Sequence, residues 1–109
     1  METKTAKEFF EKTLKARFRP EKAAGIDVIA QVSVFGVDGG EWTVIIKDQK
    51  LQVTEGTHPA PVLTLKISEK DFMDIVNEKL SAEKAFFTGR IQFKGNISMA
   101  LKMKDAGFL

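Results

Sequence analysis

Ala85-Phe-Phe-Thr-Gly-Arg-Ile-Gln-Phe-Lys-Gly-Asn-Ile-Ser-Met-Ala-Leu-Lys-Met103 changes its hydrophobic period twice and decides the fold. Ser81, just upstream, can cap a short helix through Phe87, and Gly89 is placed to end it. Arg90 to Lys94 then alternates, with Ile91 and Phe93 on one side, as a strand does. Gly95-Asn96 turns the chain, and Asn96 caps a terminal helix running to about Lys104. A strand enclosed by helices this late in the chain must pair with strands that precede it.

Those strands lie upstream. Asp27 to Phe35 alternates, with Val28, Ala30, Val32 and Val34 on one face and Asp27, Gln31 and Ser33 on the other. Val37-Asp-Gly-Gly40 supplies turn chemistry, and Trp42 to Lys47 reads as the second strand of a hairpin. Asp48-Gln-Lys50 turns the chain tightly into Leu51 to Thr54. A loop with two prolines, Glu55 to Pro61, precedes a strand over Val62 to Ile67. Four strands in succession predict an antiparallel meander.

Helices flank this block. Thr5 and Glu8 have capping-box spacing, and Ala6, Phe9, Phe10, Leu14 and Phe18 recur at helical spacing until Pro20 stops the helix near Arg19. Ser68 and Asp71 repeat the box ahead of a stripe formed by Phe72, Ile75, Val76 and Leu80. The expected fold is therefore α+β: a five-stranded, predominantly antiparallel sheet with helices packed on one face. At 109 residues the chain is expected to form one domain throughout.

Composition narrows the function. Seventeen basic and fifteen acidic residues are interleaved for a net charge of +2, whereas nucleic-acid binders concentrate basic residues, so no nucleic-acid partner is expected. No apolar run approaches the ~20 residues of a membrane span, so stable membrane insertion is not expected either. The polar N-terminus shows no secretory signal, and with zero cysteines the expectation is a cytoplasmic protein. Nine Phe, one Trp and no Tyr make the aromatic surface almost wholly apolar.

An enzyme is not expected. His58, the one histidine, precedes Pro59 in a loop, and no Gly-x-Ser-x-Gly elbow accompanies it. The carboxylate pairs Asp71/Asp74 and Glu8/Glu11 sit on polar helix faces beside lysines, which argues against a metal site. No Gly-x-Gly-x-x-Gly fingerprint is present, and no cofactor is expected.

The terminal helix is unusual. At ~100° per residue, Met99, Met103, Ala100, Ile97 and Leu101 sweep an apolar arc of roughly 200°, while packing on one sheet uses a stripe only somewhat wider than ~100°. A deeper core, a second protein chain or an apolar ligand between helix and sheet would each cover the remainder. Methionine favours adaptable apolar contacts.

Thr64-Leu-Lys-Ile-Ser-Glu-Lys-Asp-Phe72, the segment Ala85 to Asn96, Met99-Ala-Leu-Lys-Met103 and, upstream, Trp42-Thr-Val-Ile-Ile-Lys-Asp48 resemble the sterol carrier protein type 2 domain. The match covers about two thirds of the chain in the correct order. The resemblance implies a hydrophobic tunnel, enclosed by the sheet and its helices, that takes fatty acid, fatty acyl-CoA, sterol or a similar lipid. It implies a carrier or binding module, here expected to stand alone. The terminus Ala106-Gly-Phe-Leu109 lacks the Ser-Lys-Leu peroxisomal address, so peroxisomal delivery is not carried over.

By match to the motif, the residues expected to line the tunnel are Phe72, Ile75, Val76, Phe86, Ile91, Phe93, Met99 and Met103. Gly89 and Gly95, which bracket the last strand, are read as structural. Arg90, Lys94, Lys102 and Lys104 are the basic residues near its mouth, where a head group is one role and plain solvation the other. Trp42 is expected to anchor the core or to report on ligand. The alternative function is a docking module that uses the same apolar surface to bind a partner enzyme or a second copy.

Overall fold

The computed structural model describes residues 3–108. The first helix begins at a Thr5 cap, whose hydroxyl accepts the Glu8 N–H at 3.0 Å. It runs through α1 (Ala6–Glu8), a π-helical stretch (Phe9–Thr13) and α2 (Leu14–Arg17) without a break. The wider turn was not foreseen from the spacing. Phe9, Phe10 and Leu14 all lie on the inward side and are fully buried. Phe18 ends the helix, and Pro20–Lys22 adds one 3-10 turn.

The strands are β1 (Val28–Phe35), β2 (Gly40–Lys47), β3 (Lys50–Glu55), β4 (Leu63–Ser68) and β5 (Ile91–Lys94). They form one sheet in the order β3-β2-β1-β4-β5. The β2/β3 hairpin closes on Asp48 and Gln49, both at positive φ, the conformation a two-residue type I′ turn requires.

The expected meander does not extend to β4. Instead of pairing with β3, β4 lies on the far side of β1 and runs parallel to it, with Ala30 opposite Leu63 and Val34 opposite Ile67. The reason is the length and chemistry of the preceding loop. A crossing from β3 to a place beside β1 spans three strand spacings, about 14 Å, well within the ~24 Å that seven extended residues can reach. Residues 56–62 make that crossing over the sheet face opposite the helices.

Gln31 and Thr43, paired across β1 and β2, hold the crossing loop. The Gln31 amide donates to the carbonyls of Trp42 and Gly56 at 3.3 and 3.2 Å. Its carbonyl accepts the His58 N–H at 2.8 Å and the Thr43 hydroxyl at 3.3 Å. Gln31 is therefore buried, although alternation alone assigns it to the polar face. Satisfying every polar atom is what makes that burial tolerable.

The other face carries the core. Val28, Ala30, Val32, Trp42, Val44 and Ile46 are almost fully buried beneath the first helix and α3 (Glu69–Val76). Phe10 stacks between Trp42 (ring centroids 4.6 Å apart) and Phe72 (5.6 Å), and Phe9 meets Phe72 edge-on. Trp42 thus anchors the core. The Ser68 hydroxyl caps α3 by accepting the Asp71 N–H. Beyond α3 come α4 (Ala82–Phe87), capped by Ser81, and α5 (Ile97–Asp105), capped by Asn96.

Candidate apolar ligand cavity

Capping and strand alternation together build a hollow at the end of the sheet remote from β3. Leu63 and Leu65 of β4 and Ile91 and Phe93 of β5 form its floor, because the β4/β5 register sets Leu65 opposite Phe93 and Ile67 opposite Ile91 on the helix-facing side. One wall is α4, through Ala82, Phe86 and Phe87. The other is α5, through Ile97, Ala100, Leu101 and Met103, with Phe108 behind it.

The two helix ends shape this space. Gly89 carries a positive φ, and the N–H groups of Gly89 and Arg90 bond back to Phe86 and Ala85, so α4 stops and β5 starts at once. At the end of α5 the N–H groups of Gly107 and Phe108 return to Lys104 and Met103 in the same motif. Gly107 is at φ 110°, and a Cβ there would collide with the Arg17 carbonyl. Only glycine brings Phe108 back under α5 this way. Phe108 is 4% exposed and its ring lies 6.3 Å from that of Phe9.

The cavity measures about 330 Å³. At roughly 30 Å³ per water, it has room on the order of ten heavy atoms. Phe87 is 82% exposed, Leu101 53% and Ile97 51%, so large apolar side chains meet solvent at its mouth. These are the spare part of the wide α5 arc. Met103 is buried in the core and Met99 and Ala100 are half-buried, while Ile97 and Leu101 stay about half exposed.

Of the eight expected tunnel residues, the structure brings Phe86, Ile91, Phe93 and Met103 together at the cavity. Phe72, Ile75 and Val76 lie in the core under the first helix, and Met99 packs against that core; none of these four is in the cavity lining. Sequence reasoning did not single out Leu63, Leu65, Phe87, Ile97, Ala100, Leu101 or Phe108 as lining residues. For Phe108 a signal existed, since an apolar residue after a helix-ending glycine packs back on the last turn.

Among the basic candidates only Lys104 borders the cavity, and it pairs with Glu83 of α4 across the lining. Arg90 instead faces Asp71 at 3.5 Å. Lys94 and Lys102 are exposed and outside the lining. His58 uses Nδ1 to accept the Ala60 N–H at 3.0 Å, a loop-shaping role. No group of three or more metal-ligating side chains occurs among the described residues, and no helix among them is long and apolar enough to cross a membrane.

Comparison with known proteins agrees with this architecture. The model of the SCP-2 sterol transfer family matches residues 10–106. Peroxisomal multifunctional enzyme type 2 of Mus musculus is 36% identical over 70 residues, which are 63% of this chain and 10% of that enzyme. The chain spans between about a tenth and a sixth of the length of the multifunctional and dehydrogenase-like relatives it matches.

Among solved structures, the sterol carrier protein domain 2 of Helicoverpa armigera superposes with a TM-score of 0.70 at 27% identity, covering 94% of this chain and 90% of that one. The palmitated SCP2L2 of Aedes aegypti superposes with a TM-score of 0.74 at 21% identity, covering 97% and 96% of the two chains. With a family model matched along nearly its whole length and the same fold in its structural relatives, the chain belongs to the SCP-2 sterol transfer family.

Proposed function

We propose that this chain is a non-enzymatic cytoplasmic lipid carrier, a single domain that holds the tail of a fatty acid, fatty acyl-CoA, sterol or similar apolar ligand in the cavity between β4, β5, α4 and α5. The observation that carries the reading is a hollow of about 330 Å³, lined by apolar side chains apart from Glu83 and Lys104, that the side chains of the described residues leave unfilled. Phe86, Ile91, Phe93 and Met103 are the proposed contacts, joined by Leu63, Leu65 and Ala100. Phe72, Ile75, Val76 and Met99 support them from the adjoining core. The palmitated state of the Aedes aegypti relative favours an acyl chain as the guest.

Burial of about ten methylenes at ~0.8 kcal/mol each provides about 8 kcal/mol before immobilisation is subtracted. Affinity then comes from the tail, and selectivity between tails of similar size is weak. Native mass spectrometry of purified protein and displacement of a fluorescent fatty acid test the reading. Bound or bindable lipid at micromolar concentration supports it, and no binding at high micromolar concentration refutes it.

A second reading uses the exposed Phe87, Ile97 and Leu101 to dock a partner enzyme or a second copy of the chain. It predicts a mass that rises with concentration in light scattering. A strict monomer that binds lipid eliminates self-association.

A further inference from the structure

We propose that Lys104 anchors the carboxylate head of the bound lipid, exchanging its partner Glu83 for the ligand when the tail fills the cavity. This rests on the lipid-carrier reading above and adds the head-group chemistry that reading leaves open. Among the described residues the cavity lining contains two charged ones, Glu83 and Lys104, amid otherwise apolar side chains, and the two are ion-paired with each other. A fatty acid whose tail lies against Phe86, Phe93 and Leu101 must leave its carboxylate near water and near a cation. Lys104 is the cation that borders the cavity.

The placement of the pair supports an exchange. Glu83 lies in the first turn of α4 and Lys104 in the last turn of α5, so each charge suits the dipole of its own helix whether or not it is paired. Their side chains are 52% and 36% exposed, and ion pairs at such exposure contribute little net free energy. Replacing one carboxylate by another at Lys104 is therefore nearly neutral, and burial of the tail drives it. In the empty protein the same pair ties α4 to α5 beside the mouth. Glu83 also repels an incoming carboxylate until Lys104 turns to the ligand.

Titration calorimetry with decanoate and 1-decanol, on the wild type, Glu83→Gln and Glu83→Gln combined with Lys104→Met, tests the assignment. Lys104→Met added to Glu83→Gln should weaken decanoate about fivefold relative to Glu83→Gln alone, the upper range for an exposed pair, and leave decanol within about twofold. Glu83→Gln should strengthen decanoate by about the same factor and leave decanol unchanged. A purely structural role for the pair would move both ligands together. Parallel shifts, or decanoate binding indifferent to both substitutions, overturn the head-group assignment alone. Failure of the wild type to bind either ligand overturns the carrier reading and this inference with it. Both side chains are partly exposed, so circular dichroism should show unchanged folds.

Discussion

Ala100→Phe should shorten the acyl chain this protein accommodates. Ala100 is half-buried on α5, where it packs against the core on one side and lines the cavity on the other, so the ring of a larger side chain there has the cavity to occupy. A hollow of about 330 Å³ holds on the order of ten to eleven carbons at the density of condensed matter. Each methylene buried contributes ~0.8 kcal/mol, or about a fourfold gain in affinity. Across n-alkanoates from eight to sixteen carbons, affinity for the wild type should rise about fourfold per carbon until roughly ten or eleven carbons are inside. Further carbons lie in the mouth beside Phe87, Ile97 and Leu101 and should add less.

The six ring carbons of Phe take up on the order of four of those places, equivalent to about 3 kcal/mol for a tail that no longer fits. Ala100→Phe should accordingly weaken decanoate and longer acids by about a hundredfold and show the shallow dependence over the whole series. Competition against a fluorescent fatty acid measures both slopes. The melting temperature should change little, because the cavity accepts the added ring. A folded variant whose affinities and break point match the wild type would refute the placement of the tail between α5 and the sheet.

Three further outcomes follow from the scaffold. Gln31→Leu should destabilise the protein by about 1–2 kcal/mol, measured by denaturant unfolding, because the His58 N–H loses its partner while the Thr43 hydroxyl and the Gly56 carbonyl keep each other. Glu78→Gly should stabilise it by about 1 kcal/mol, since Glu78 holds φ 62° at the end of α3, where the N–H groups of Glu78 and Lys79 bond back to Ile75 and Asp74. Gly107→Ala should cost at least about 2 kcal/mol, read as a fall in melting temperature, because its Cβ meets the Arg17 carbonyl in a backbone conformation that alanine resists.

Local chemistry was the legible part of the sequence. Thr5, Ser68, Ser81 and Asn96 each cap the helix they precede, because a cap depends on a hydroxyl or amide three residues from a free N–H and on nothing distant. The faces of β1 followed from alternation for the same reason. The position of β4 did not, since pairing with β1 in place of β3 is decided by contacts between segments far apart in the chain. Gln31 was misplaced on the solvent face because the loop that covers it comes 25 residues later.

The cavity shows a different limit. Helical periodicity says which way Phe72, Ile75, Phe86 and Met103 point, namely toward the sheet. It does not say whether a ring or a hollow lies there. Phe10 fills the space beside Phe72, and no side chain among the described residues fills the space beside Phe86 and Leu101. The width of the α5 arc was the one local feature that registered the difference.

The parallel pairing of β1 with β4 also bears on how the chain reaches this state. Ala30 and Leu63 are 33 positions apart (63 − 30), and β1 is the central strand, so the sheet cannot close until that long loop has been ordered. Hairpins β1/β2 and β2/β3 form from near neighbours and leave the β4-facing edge of Val28–Phe35 unpaired in the meantime. Docking of residues 56–68 is thus the natural rate-limiting step. A chain emerging from the ribosome shows a bare apolar strand edge to its neighbours until Leu63–Ser68 has been made, which places its greatest aggregation hazard midway through synthesis.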